Sequence, residues 1–173
     1  MRSANYLSRS EAISLLKTEG CSESVIKHSI IVSKNAKRIA GKIKRNGYDI
    51  DTEFIEVAAL LHDIGRSRTH GVTHGIEGSR ILEKKFPKFA RVCETHIGAG
   101  LDKKEAASLG LPARDYLPKT LEEKVIAHAD NLVCGDLIVG ISDAIKELEE
   151  KLGKGHSAIK KVKELNDFIE GLC

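Results

Sequence analysis

Apolar residues in this chain recur at steps of three and four, and that period limits the fold more than any other feature of the sequence. Val25, Val32, Ala36, Ile39 and Ile43 make one stripe, and Ile55 and Ala58 begin another. No segment sustains the alternation that a half-buried strand requires. The spacing predicts helices over 9–19, 23–45, 52–64, 75–86, 88–97, 103–109, 120–138, 140–152 and 155–171, so the expected fold class is an all-α, single-domain helical bundle. Gly65 and Gly110 stand where helix-ending glycines are expected, and Asp51 or Thr52, Thr73 and Thr120 are candidate N-caps. Connections are short except between about Gly98 and Lys119.

A chain of 173 residues suits one domain that buries its own core. With 41% hydrophobic and 31% charged residues and no long apolar run, a membrane-spanning or disordered protein is not expected. The N-terminal MRSANYLSRSEAISLLKTEG lacks the apolar run and small-residue cleavage site of a signal peptide, so a cytoplasmic location is expected. Cys21, Cys93, Cys134 and Cys173 are scattered and read as reduced thiols. The formal charge of +3 is a mild excess, and aromatics make up only 4%. Neither marks a dedicated nucleic-acid binder, so the expected partner is a small molecule. Near the C-terminus, Ile141, Ala144, Leu148 and Leu152 form one stripe and Val162, Leu165, Ile169 and Leu172 another. Both read as faces covering the core, with a homodimer seam as the alternative.

Certain polar residues interrupt these stripes. His28 lies three after Val25 and four before Val32; His62 follows Ala58 by four, with Asp63 beside it; His96 follows Val92 by four; Asp130 lies between Ile126 and Val133. Burying an ionised carboxylate is costly unless it is paired or binds a metal, so inward-facing polar groups on four helices are most simply explained by convergence on one point. Imidazole and carboxylate donors without thiolates suit Mn, Fe, Co, Ni, Mg or a catalytic Zn. His28, His62, His96 and Asp130 are evenly spaced, but KHSII, LLHDIG, ETHIG and HADNL share no repeat signature.

The segment Leu60-Leu61-His62-Asp63-Ile64-Gly65-Arg66 resembles the signature of the HD-domain superfamily of metal-dependent phosphohydrolases in its HDIG form. His28 matches the upstream helical histidine, and Asp130 the downstream aspartate, so the resemblance covers about 22–140. His74-Gly75-Ile76-Glu77-Gly78 and Glu94-Thr95-His96-Ile97-Gly98 resemble segments of members with two metals. The resemblance implies one or two divalent metals held by His28, His62, Asp63, His74, His96 and Asp130, with Asp63 shared between them and Arg66 assisting catalysis. It implies hydrolysis of a nucleotide or related small phosphate ester by a metal-activated water, without a Ser, Cys or Lys nucleophile. Arg66, Arg80 and Lys103, and more remotely Lys104 and Arg114, are the cations available to a phosphate. The chain lacks the GYP signature of cyclic-dinucleotide phosphodiesterases, which argues against that substrate. The alternative reading is a metal-containing regulatory module that binds a phosphorylated ligand without turnover. His70, His128 and His156 match no ligand position, and His128 is expected to face away from Asp130.

Overall fold

A computed structural model describes residues 7–173. The first six residues of the N-terminal stretch judged above lie outside the described residues. The described residues form nine α-helices: α1 (Arg9–Thr18), α2 (Glu23–Arg45), α3 (Thr52–Leu61), α4 (His74–Leu82), α5 (Pro87–Thr95), α6 (Lys103–Ser108), α7 (Leu121–Asn131), α8 (Ile141–Leu152) and α9 (Ser157–Glu170). A 3-10 turn, Ile64–Ser67, follows α3. The only sheet among the described residues is a hairpin of β1 (Val133–Cys134) and β2 (Leu137–Ile138). The fold class is all-α, as the periodicity requires. No helix among the described residues is long and apolar enough to cross a membrane.

Helix α3, TEFIEVAALL, is apolar almost all round, and such a helix must be surrounded. It lies at the centre, against α1, α2, α5 and α7. Ile55, Ala59, Leu60 and Leu61 are completely buried there. Asp51 caps its start by accepting from Phe54 N at 2.9 Å. Helix α2 buries Val32, Ala36, Ile39 and Ile43 against it and turns its charged face to solvent. The apolar stripes of α8 and α9 meet each other through Ile145, Ile159 and Val162, with Ala99 and Leu148 at the edge. Leu165 and Ile169 continue into the main core, whereas Leu152 is exposed.

Several expected boundaries move, and each shift has a local cause. The helix expected over 52–64 stops at Leu61, and the chain tightens through Asp63 into the 3-10 turn. Gly65 is therefore no helix-ending glycine. A β-carbon on it would lie 1.9 Å from the His74 carbonyl oxygen and 2.4 Å from Gly78 N, so the turn can meet α4 only because Gly65 has no side chain. The helix expected over 120–138 ends at Asn131, because Gly135 at φ +59 and Asp136 form the two-residue loop of the hairpin. Helix 75–86 ends at Leu82, Pro87 occupies the first turn of the next helix, and that helix ends at Thr95 rather than 97. Thr73 makes no capping hydrogen bond, while Thr120 accepts from Glu123 N at 3.2 Å. Gly110, at φ +77, ends α6 as expected.

Candidate metal centre

Five elements bring six side chains together. His28 comes from the first half of α2, and His62 and Asp63 from the end of α3. His74 opens α4, His96 follows α5, and Asp130 lies in the last turn of α7. His62, Asp63, His74 and His96 are buried; His28 and Asp130 reach the surface. The Asp63 carboxylate sits at the middle. Its Oδ1 lies 3.1 Å from His74 Nε2 and 3.3 Å from His96 Nε2, and its Oδ2 lies 3.7 Å from His62 Nε2 and 3.8 Å from His28 Nε2. Asp130 Oδ1 lies 3.0 Å from His28 Nε2 and 3.5 Å from His62 Nε2.

The chain aims three imidazoles in the same way. His62 Nδ1 donates to Ala59 O (2.6 Å), His74 Nδ1 to Gly71 O (2.8 Å) and His96 Nδ1 to Cys93 O (2.8 Å), each three residues back. In the neutral ring a proton on Nδ1 leaves Nε2 as a lone pair facing the centre, the arrangement seen in metal-ligating histidines. Glycines permit the approach. A β-carbon on Gly75 would meet the Cys93 carbonyl oxygen at 2.6 Å, and one on Gly78 would meet Cys93 Sγ at 3.1 Å, so α4 lies directly on α5.

Electrostatics favour a cation at this point. Burial pushes His96 below its ordinary value, so it is neutral near pH 7. His74 Nε2 and His96 Nε2 face one another at 3.1 Å beside a carboxylate oxygen, and with each ring carrying its proton on Nδ1 their lone pairs would repel unless a positive charge stood between them. Burial also acts to lower His62, but the Asp63 and Asp130 charges outweigh it and push His62 up to about 9. Both carboxyls are held below the usual carboxylate range; burial works against this, and His62 is the strongest opposing influence on each. His62 Nε2 and Asp63 Oδ1 are buried without a hydrogen bond among the described residues. Ligand atoms of His28, His62 and Asp63, of His62, His96 and Asp130, and of Asp63, His74 and His96 each lie within 4.8 Å of one another. Nitrogen and oxygen donors in overlapping triads fit one or two divalent ions.

The other expected residues divide. Arg66 is at the site, where its Nε donates to Asp63 Oδ2 at 2.7 Å and its Nη1 to His70 O at 3.3 Å. Arg80 pairs with Glu77 on the outer face of α4, Lys103 is exposed at the start of α6, and Arg114 pairs with Glu94. None of these three bonds to the six central residues. Cys93 and Cys21 lie nearby, but burial first and the Asp63 charge second push both thiols up, so neither is an activated nucleophile. His128 is fully buried on the opposite side of α7, as its spacing from Asp130 predicts. The sequence did not reveal the role of Asn131, whose Nδ2 donates to Gly98 O at 2.9 Å and ties the helix of Asp130 to the turn after His96. Its position beside Asp130 was the available signal.

Comparison with known proteins agrees with this geometry. The HD domain profile matches residues 25–133. An uncharacterized protein of Methanocaldococcus jannaschii is 52% identical over 94% of this chain and 96% of its own length. The tRNA (cytidine(56)-2'-O)-methyltransferase of Picrophilus torridus is 38% identical over 94% of this chain but only 46% of its own length; the enzyme of that name from Thermoplasma volcanium is 35% identical over 91% and 45%. The chain thus spans about half the length of these two relatives. Among solved structures, the HD domain of L. monocytogenes phosphodiesterase PgpH superposes with TM-score 0.54 over 93% of this chain and 98% of that one, at 16% identity, a likeness of fold. The same domain in complex with cyclic-di-AMP gives TM-score 0.54 at 17% identity, covering 93% and 96%. A profile that covers the helices carrying His28, the His62-Asp63 doublet and Asp130 leaves one assignment: the chain belongs to the HD domain family.

Proposed function

We propose that this chain is a metal-dependent phosphohydrolase acting on a nucleotide or related small phosphate ester, with His28, His62, Asp63, His74, His96 and Asp130 as metal ligands. The observation that carries this reading is the facing pair of His74 and His96 Nε2 atoms, 3.1 Å apart beside Asp63 Oδ1, with both rings held through Nδ1. A divalent metal there supplies Lewis acidity, making water a nucleophile near neutral pH and offsetting charge that builds on phosphoryl oxygens. Asp63 turns one oxygen toward His74 and His96 and the other toward His28 and His62, so it is the residue two ions would share. Arg66 fixes Asp63 Oδ2 through Nε and keeps Nη2 free of protein partners among the described residues, available to orient an anionic substrate. Arg80 and Lys103, engaged elsewhere or exposed, would meet only the outer part of a larger substrate.

The two tRNA methyltransferases carry the matching stretch as less than half of their length, and the fold neighbour PgpH was solved with cyclic-di-AMP. Both facts belong in the choice of substrates. The test is phosphate or nucleotide release from mono-, di- and cyclic nucleotides, cyclic-di-AMP and RNA ending in a phosphate, each with added Mn, Fe, Co, Ni, Mg or Zn. Turnover that needs metal and is lost in Asp63→Ala supports the reading. The companionship with a methyltransferase in those relatives favours a second one, a regulatory module. It predicts that a phosphorylated ligand raises the melting temperature in the presence of metal and that no metal yields product.

A further inference from the structure

The chain-wide charge excess hides a strong local one. Helix α2 carries seven Lys and Arg residues against the single Glu23, so the rest of the molecule is net acidic. At about 100° per residue, Lys27, Lys34, Arg38 and Arg45 fall within about 20° of one line along the helix, with Lys42 at its flank. That line runs for roughly 27 Å at a rise of 1.5 Å per residue. It begins beside His28, where Lys27 pairs with Asp136 at the hairpin tip. Lys34, Lys42 and Arg45 are exposed, and none has a carboxylate partner among the described residues. Arg38 donates to Asn35 and remains exposed. Just beyond the C-terminal end of the stripe stands Tyr48, an aromatic ring that is 45% exposed. Cations in single file suit a chain of phosphates, and an exposed ring at one end suits an unpaired base.

We propose that the α2 stripe, with Tyr48 as a stacking platform, is a docking surface for a single-stranded polynucleotide that runs toward the metal centre. Phosphates spaced along the strand neutralise Lys34, Arg38, Lys42 and Arg45, and a base stacks on Tyr48. The inference goes beyond hydrolysis and does not require it, because it concerns binding.

The test titrates the full chain, with its metal in place, into a fluorescent 20-nucleotide RNA, a DNA strand of the same length, and phosphatidylserine vesicles. With about four phosphates neutralised, log K should fall with log salt at a slope near −3. The triple variant Lys34→Glu, Lys42→Glu, Arg45→Glu should weaken RNA binding at least about 30-fold and flatten the slope. Tyr48→Ala should weaken it about tenfold. Equal charge reversal elsewhere, at Lys84, Lys85 and Lys154, should change it less than about threefold. Comparison of the RNA and DNA arms shows which sugar the surface takes. Should the triple Glu variant fail to fold by circular dichroism, the corresponding Gln variant replaces it. The proposal is overturned if the α2 variant binds RNA like wild type, if the control reversal weakens binding as much, or if only vesicle binding responds to α2. A chain that binds RNA through α2 yet hydrolyses nothing leaves this inference standing and removes the hydrolase reading.

Discussion

Asp63 is the residue on which most of the site depends. Four histidine Nε2 atoms and the Arg66 guanidinium surround its two oxygens, and it is nearly completely buried. Asp63→Ala removes both oxygens but little volume. The expected outcome is a helical protein by circular dichroism that has lost most of its metal by elemental analysis and more than about 100-fold of any metal-dependent turnover, exceeding the 10–100-fold typical of residues that only support a ligand. An active, metal-loaded variant would show that the doublet is not a ligand pair. His28, His62 with Asp63 beside it, and His96 stood out as polar positions in helical stripes, whereas His74 and Arg66 entered only through the resemblance to the HD signature; the mutual distances of all of them were not legible.

At the scale of elements, the contact between the 3-10 turn and α4 decides whether Asp63 and His74 meet. Gly65→Ala places a methyl group 1.9 Å from the His74 carbonyl oxygen, a backbone atom that cannot yield without moving α4. The expected loss of stability is about 1–3 kcal/mol or more in urea unfolding. Metal occupancy should fall with it, and retention of both would show that the turn has room. Helix α7 offers a second test. His128 is completely buried, and neither ring nitrogen has a hydrogen-bond partner among the described residues. Burial, the dominant influence, pushes it down to about 4. The unfolded chain therefore binds this proton more readily than the folded one. The resulting stability is fully present above about 6.5 and is lost as pH falls toward 4, by up to about 3 kcal/mol. His128→Leu should be at least as stable as wild type at pH 7.5, and its urea midpoint should fall less on acidification; parallel pH profiles would contradict this account.

For the whole molecule, the prediction concerns how metal joins separate elements. The proposed ligands come from α2, α3, α4, α7 and the end of α5, so an ion that binds only the folded chain would stabilise every junction at once. Wild type should bind two ions per chain. Removing them with a chelator should lower the melting temperature, corresponding to about 4 kcal/mol where free metal exceeds its Kd a thousandfold. His74→Ala and His96→Ala should each reduce the stoichiometry to one. Saturation of wild type at one ion, or unchanged stoichiometry in both variants, would leave a mononuclear site of His28, His62, Asp63 and Asp130.

What the sequence determined by itself was periodic and local. Steps of three and four specify helices and their buried faces, so an all-α fold and the inward positions of His62 and His96 followed directly. His28 and Asp130 followed only in part, since both reach the surface. The Gly135-Asp136 loop also had a local signal, but the apolar residues around it fit a helical period equally well, and the hairpin went unread. Tertiary structure decided the rest, because it depends on distances between residues far apart in the chain. Gly65 is set by the approach of α4 rather than by a helix end. The cations of α2 form one line only once the helix is formed and the acidic residues lie on other elements, a separation that net charge, being a sum without direction, cannot record.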